Sequence, residues 1–140
     1  MKIKKAHLEV FFKTLRGTEG FLSLADARVR DAFMKPLGVQ VDDMVADRKK
    51  IYERFSKKNP DGTPNTADGN FHFEADILEV LNKELEIFAN EEVEVEFVWG
   101  VTGGKLRDIM EKSQYKPMYG EVQEIDEIIK QLAPPTKEEK

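Results

Sequence analysis

The stretch NPDGTPNTADGNF, residues 59–71, places two Asp-Gly pairs among oxygen-bearing side chains, which is a composition typical of calcium-binding loops. Such a loop needs oxygen ligands at positions 1, 3 and 5, glycine at position 6 and a bidentate acid at position 12. With Gly62 at position 6, position 1 is Lys57. With Gly69 there, position 12 is Ala75. Because both registers lack a required ligand, the stretch is predicted to be a turn.

A second candidate for ligand chemistry is WGVTGGKL, residues 99–106, which combines glycines with a Gly-Lys pair as a phosphate-binding P-loop does. The P-loop also requires a glycine five residues before that pair and Ser or Thr after its lysine. Those two places hold Trp99 and Leu106. No phosphate site is therefore predicted, beyond the weak anion attraction of any helix N-terminus.

Residues suited to covalent or acid–base catalysis are few. The chain has no cysteine and two histidines, His7 and His72, neither of which lies in a recognisable catalytic motif. His72 stands between two phenylalanines, which favours a packed side chain. The glutamates at positions 91, 92, 94 and 96 alternate with apolar residues instead of sharing a face with histidine, which disfavours a metal site. We therefore predict no catalytic residue, no metal and no cofactor, and a protein that is not an enzyme.

Charge is distributed unevenly along the chain. Residues 1–58 carry 14 Lys and Arg against 8 Asp and Glu, whereas residues 59–140 carry 8 against 19. The acidic half could bind a basic partner, and copies of the chain could associate head to tail, although solvated helix faces explain the same pattern. The sequence disfavours nucleic acid as a partner, because acidic residues interrupt the candidate basic patch: Arg48, Lys49, Lys50, Arg54, Lys57 and Lys58.

The first half of the chain is predicted to form three amphipathic helices. Apolar residues at three- and four-residue steps predict a first helix from Ile3 to about Gly17. A second helix is expected from Ser23, a plausible N-cap, to about Met34, because Pro36 disfavours helical geometry in the residue before it. After a break at residues 36–41, a third helix is expected to continue to about residue 57.

The second half predicts further helices around a short strand. Apolar spacing predicts a helix over residues 75–89, and the alternation of Val93, Val95 and Phe97 with glutamates predicts a half-buried strand. We expect that strand to pair with residues 71–73 or with a second copy of the chain. Trp99 is interpreted as a core residue in preference to an exposed anchor for a partner.

Two more helices are predicted over residues 104–113 and 120–132, with YKPMYG as a linker before the second, followed by a disordered tail at residues 134–140. The predicted fold class is α+β and mainly helical, with five or six amphipathic helices and one small β-hairpin or sheet. Residues 1–133 are expected to form a single globular domain. Charged residues interrupt the apolar N-terminal stretch, which favours an unprocessed, cytoplasmic protein that does not span a membrane.

The stretches MKIKKAHLEVFF, DRKKIYERFSKKNPDGTPNTADGNFHF and LNKELEIFANEEVEVEF together resemble a family of small phage and prophage proteins that have no established activity. The resemblance covers about residues 1–98 and is carried by KKIYERF, the Asp-Gly turn and the helix before NEEVEVEF. It implies expression from a phage or prophage genome in a bacterial cell, with possible association with the virion, and it implies no catalytic residue.

The predicted function is therefore binding to another protein, with virion or tail assembly as the main hypothesis and self-association as a further possibility. The alternative is an inhibitor that presents its acidic half to a host protein of defence or nucleic-acid processing. The candidate partner-binding residues are Val93, Val95, Phe97, Trp99, Glu91, Glu92, Glu94 and Glu96.

Overall fold

The computed structural model of the protein describes residues 1–66 and 68–132. These residues form five α-helices, one 3₁₀ turn and one two-stranded antiparallel sheet, so the prediction of a mainly helical α+β fold is confirmed. None of these helices combines the length and the apolar composition that crossing a bilayer requires. The tail predicted at residues 134–140 lies outside the described residues.

The chain begins with strand β1 (Lys2–Lys4), and helix α1 (Lys5–Arg16) follows without a loop. The prediction that the first helix starts at Ile3 is therefore wrong, although its end before Gly17 is confirmed. Ile3 is fully buried and lies opposite Val93 in the sheet. Burial against this partner decides the strand, since the apolar spacing of residues 3–15 by itself fits a helix.

Strand β2 (Glu92–Glu94) is the antiparallel partner of β1, with Lys2 opposite Glu94 and Lys4 opposite Glu92. Opposite charges thus face each other at both ends of the pairing, which stabilises this register. The expectation that residues 71–73 pair with this strand is wrong, whereas pairing with a second copy of the chain stays a prediction. Phe71 and Phe73 instead place their rings 6.1 Å from the ring of Tyr52.

Helix α2 (Leu24–Phe55) runs through Pro36 without a break, which corrects the prediction of two shorter helices. The Ser23 cap is confirmed, since its hydroxyl accepts a hydrogen bond from the Asp26 amide at 3.2 Å. Proline within a helix removes one backbone hydrogen bond and costs about 3 kcal/mol. Phe33 and Leu37, on either side of Pro36, are both fully buried, and their packing offsets that cost.

The described residues divide into two compact units, one formed by residues 1–41 with residues 92–132 and the other by residues 42–91. In the first unit, helices α4 (Gly103–Met110) and α5 (Glu121–Leu132) pack with α1, and both lie where apolar spacing predicts a helix. The Phe33 ring lies 5.4 Å from Phe11 and 5.5 Å from Phe97. The core of this unit also includes Leu8, Leu15, Val95, Leu106, Ile109, Ile128 and Leu132.

The second unit contains the end of α2, the turn region predicted at residues 59–71, a 3₁₀ turn (Ala75–Ile77) and helix α3 (Leu78–Asn90). The turn interpretation is confirmed: Gly62 and Gly69 have φ near +90°, and the carboxylate of Asp61 accepts a hydrogen bond from the Thr63 amide at 3.0 Å. Helix α3 appears where its apolar spacing predicts it, with Leu81 and Phe88 buried.

Candidate functional site

The predicted partner-binding residues around strand β2 have very different exposures. Val95 is 1% exposed, so a partner can reach it only if the core opens, and Val93 is half-buried opposite Ile3. The Glu94 carboxylate lies 2.9 Å from the Met1 ammonium, which also donates a hydrogen bond to the Val95 carbonyl at 2.7 Å. The glutamates of this segment point to solvent at positions 92, 94 and 96. The strand thus offers an acidic surface backed by the core.

Glu91 belongs to the second unit, where it follows the last residue of α3. Its amide donates a hydrogen bond to the Phe88 carbonyl at 3.2 Å, and its side chain is exposed. Glu91 therefore ends helix α3, whereas the strand glutamates begin only at Glu92.

Trp99 is 99% exposed, so its interpretation as a core residue is wrong. It lies in a turn closed by a hydrogen bond of 3.0 Å from the Val101 amide to the Val98 carbonyl. Gly100 takes the left-handed conformation in this turn, with φ of +84°. The buried side chain of Val101 fixes the far end of the turn. A tight turn that is fixed in this way presents the indole outward.

The surface beside the indole is concave and mainly apolar. A cavity of about 190 Å³ is lined by Val29 and Ala32 of α2 together with Arg28, Trp99, Gly100 and Val101. Phe97, two residues before the tryptophan, is 38% exposed while its ring still packs on buried Phe33. Trp99, Phe97 and this cavity form a surface that we call the Trp99 surface.

A second apolar surface, which sequence reasoning missed, occupies the segment before α5 and the first turn of that helix. Tyr119 is fully exposed, Met118 is 68% exposed and Val122 is 52% exposed. These side chains line a cavity of about 380 Å³ together with Pro117, Gly120 and Gln123. The signal was present in YKPMYG, where a methionine and a tyrosine stand in a segment that is predicted to be a linker.

A polar groove of about 400 Å³ adjoins this apolar surface, since Gly120 and Gln123 line both. Three of its other lining residues are glutamates. The residues come from β1, α1, β2 and α5 and are Lys4, His7, Glu92, Glu124, Glu127 and Gln131. The groove thus brings Glu92, a predicted site residue, to the same surface as the acidic side of α5. His7 lines the groove, where it adds polar surface.

The remaining chemistry-bearing segments have structural roles. The Asp68 carboxylate accepts from the Asn70 amide and lies 2.9 Å from Nε2 of exposed His72, and these contacts hold the pKa of Asp68 below its ordinary value. The packed interpretation of His72 is therefore wrong. In the P-loop-like segment, Thr102 caps α4 and Lys105 pairs with Asp26 at 3.2 Å. Within residues 1–66 and 68–132, no three His, Asp or Glu side chains are placed to hold a metal ion.

Comparison of the chain with protein-family models, with curated proteins and with solved structures found no match. The resemblance to small phage and prophage proteins therefore stays a prediction.

Proposed function

We propose that this protein is a non-enzymatic binding protein whose partner is another protein, and that Trp99 anchors the complex. The observation that carries the proposal is the 99% exposure of the Trp99 side chain on a turn with fixed ends. An indole of this exposure leaves a large apolar area in water. Covering that area with a partner is favourable at about 25 cal/mol per Å².

Tryptophan is also the residue type most enriched among the few residues that dominate protein–protein affinity. Such residues usually insert into a pocket of the partner and are surrounded by weaker contacts that exclude water. Here Val29 and Ala32 supply apolar contacts beside the indole, and Arg28 supplies a charged rim. The Trp99 surface therefore has an apolar centre with a polar edge, which is the usual anatomy of an interface.

The biological setting is proposed from the resemblance over residues 1–98. We place the protein in a bacterial cell that produces phage, where it acts in virion or tail assembly. Binding to a second copy of the chain is included in this proposal, because an exposed anchor can serve a symmetric dimer as well as a complex with another protein.

The second candidate function is inhibition of a host protein through the acidic half of the chain. The observation that favours it is the solvent exposure of the glutamates at positions 92, 94 and 96 on and after β2. A complex made by these carboxylates would form with a basic surface and would weaken as salt is added.

The test compares the protein with its Trp99→Ala variant in affinity capture from phage-producing cells, at low and moderate salt, followed by measurement of the captured partner's affinity. We expect Trp99→Ala to weaken that affinity by at least about 30-fold, the effect typical of an anchoring residue. The melting temperature should stay unchanged because the indole makes no core contact. Val39→Ala is the matched control, since Val39 is also exposed, at 57%.

Virion proteins that depend on Trp99 would support the assembly hypothesis. A single host protein that salt releases and that Trp99→Ala retains would support the inhibitor hypothesis instead. A partner that binds the wild type and Trp99→Ala equally would contradict the role given to Trp99.

A further inference from the structure

The surface beside α5 combines two features that are contiguous in space. The first is the apolar surface of Met118, Tyr119 and Val122, and the second is the polar groove that shares Gly120 and Gln123 with it. We call the whole the α5 surface. It is distinct from the Trp99 surface, because the residues that line the two do not overlap.

The apolar part of the α5 surface is held in a defined shape. Oε1 of Glu121 accepts hydrogen bonds from the Met118 amide at 2.8 Å and from the Tyr115 hydroxyl at 2.6 Å. The Gln114 amide donates a hydrogen bond to the Gly17 carbonyl at 2.9 Å, which ties the start of this segment to the end of α1. A segment fixed at both ends loses little conformational freedom when a partner binds, so more of the contact energy appears as affinity.

The groove part carries an excess of negative charge. Glu92, Glu124 and Glu127 contribute three carboxylates, against one ammonium from Lys4. A concave surface with one dominant sign of charge concentrates ligands of the opposite sign and rejects ligands of the same sign. The groove therefore favours Lys or Arg side chains over Asp or Glu side chains.

We infer that the α5 surface binds a peptide segment of another protein that carries a Lys or Arg close to an aromatic or aliphatic residue. The apolar residue covers Met118 and Tyr119, and the cation enters the groove beside Glu124 and Glu127. This inference rests on the proposed protein-binding function, but it concerns a surface that does not include Trp99.

The spacing along α5 sets the spacing expected in the ligand. Val122 and Glu127 are five residues apart on the helix, which is a rise of about 7.5 Å and a rotation of about 140°, so their Cα atoms are about 9 Å apart and their side chains are farther apart. An extended peptide covers about 3.3 Å per residue. The cation should therefore stand three or more residues from the apolar anchor.

The experiment selects binders from a random 12-residue peptide display library on the immobilised full-length protein. The selected peptides are then synthesised, and their affinities are measured by fluorescence anisotropy. We expect the selected peptides to be enriched in Lys or Arg three or more residues from an aromatic or aliphatic residue. Tyr119→Ser and the double variant Glu124→Gln, Glu127→Gln should each weaken their binding by about tenfold or more. Binding to the wild type should also weaken as salt rises.

Two control variants keep the result interpretable. Trp99→Ala and Glu79→Gln change exposed residues outside the α5 surface, and both should bind the selected peptides as the wild type does. Circular dichroism melts should show that every variant is folded, since the changed side chains are on the surface.

The inference is overturned if no peptides are enriched, if the selected peptides lack basic residues, or if they bind Tyr119→Ser and the double glutamine variant as tightly as the wild type. Selected peptides whose binding is lost only in the Trp99→Ala variant would also overturn the inference, while supporting the proposed function of the protein. If Trp99→Ala captures the cellular partner as well as the wild type does, while the selected peptides still bind the α5 surface, only the role of Trp99 is contradicted.

Discussion

Glu121 is the residue that connects the segment before α5 to the helix itself. Its carboxylate accepts hydrogen bonds from the Tyr115 hydroxyl and the Met118 amide, and Lys13 adds a favourable charge. These contacts, with that of Tyr115 the largest, lower the pKa of Glu121 below its ordinary value. The same hydrogen bond, helped by desolvation, raises the pKa of Tyr115. Both shifts favour the pair of a charged carboxylate and a neutral phenol.

The direction of each pKa shift defines the pH range over which the pair of Glu121 and Tyr115 stabilises the fold. The contribution of Glu121 is fully present above the unfolded pKa of a glutamate, about 4.3, and is lost as pH falls through the lower folded pKa. The contribution of Tyr115 is present below the unfolded pKa of a tyrosine, about 10, and is lost as pH rises through the higher folded pKa. The pair thus stabilises the fold across the whole neutral range.

We predict that Tyr115→Phe raises the pKa of Glu121 toward its ordinary value, because the largest contact to the charged carboxylate is removed. The measurement is an NMR titration of the Glu121 side-chain carboxyl carbon. Tyr119→Phe is the control, since it removes a hydroxyl from a fully exposed ring and should leave the titration of Glu121 unchanged. An unchanged titration in Tyr115→Phe would mean that the Met118 amide and Lys13 hold the carboxylate by themselves.

Helix α2 shows how packing overrides a local preference at the level of one element. Pro36 has no amide hydrogen, so the Ala32 carbonyl does not receive the usual backbone hydrogen bond from four residues later. The helix nevertheless continues, because Phe33 and Leu37 place their side chains in the core of the first unit. Ending the helix before Pro36 would remove this packing.

We predict that Pro36→Ala raises the free energy of unfolding by about 2 kcal/mol. Restoring the backbone hydrogen bond and removing the steric clash gains about 3 kcal/mol, and the more flexible unfolded chain returns up to about 1 kcal/mol. Urea denaturation measures the change as a higher midpoint at constant slope. The exposed neighbour is the control: Lys35→Ala should change stability by less than about 0.5 kcal/mol. A destabilised Pro36→Ala variant would show that the proline is needed for the shape of the helix.

At the scale of the whole molecule, each of the two compact units has buried apolar residues of its own. The first unit buries Leu106 and the second buries Leu81, both at 3% exposure or less. The prediction that residues 1–133 form a single domain stays a prediction. The cooperativity of unfolding decides between one domain and two.

We predict that Leu81→Ala, which removes a core side chain at a cost of about 2–5 kcal/mol, lowers hydrogen-exchange protection mainly in residues 42–91. Leu106→Ala should act mainly in residues 1–41 and 92–132. Hydrogen exchange followed by mass spectrometry of peptic peptides measures both patterns. If each variant lowers protection equally across both units, the chain unfolds as the single domain that its length suggests.

Short-range patterns in the sequence determine most of the helices. Leu106, Ile109 and Met110 are spaced as one helical face, and all three are buried in α4. The Asp-Gly turns at Gly62 and Gly69 are equally local, since glycine accepts a positive φ without steric cost. These features depend on residues within a few positions of one another, so the sequence alone determines them.

Tertiary structure decides the features that depend on residues far apart in the sequence. Ile3 is in a strand because Val93, ninety positions later, lies opposite it, and α2 passes through Pro36 because the core holds Phe33 and Leu37. The exposure of Trp99 and Tyr119 depends in the same way on which elements cover them, and a local pattern such as YKPMYG can only suggest it. Most of the helices and the turns were therefore readable from the sequence, whereas the continuity of α2, strand β1 and both candidate binding surfaces required the fold.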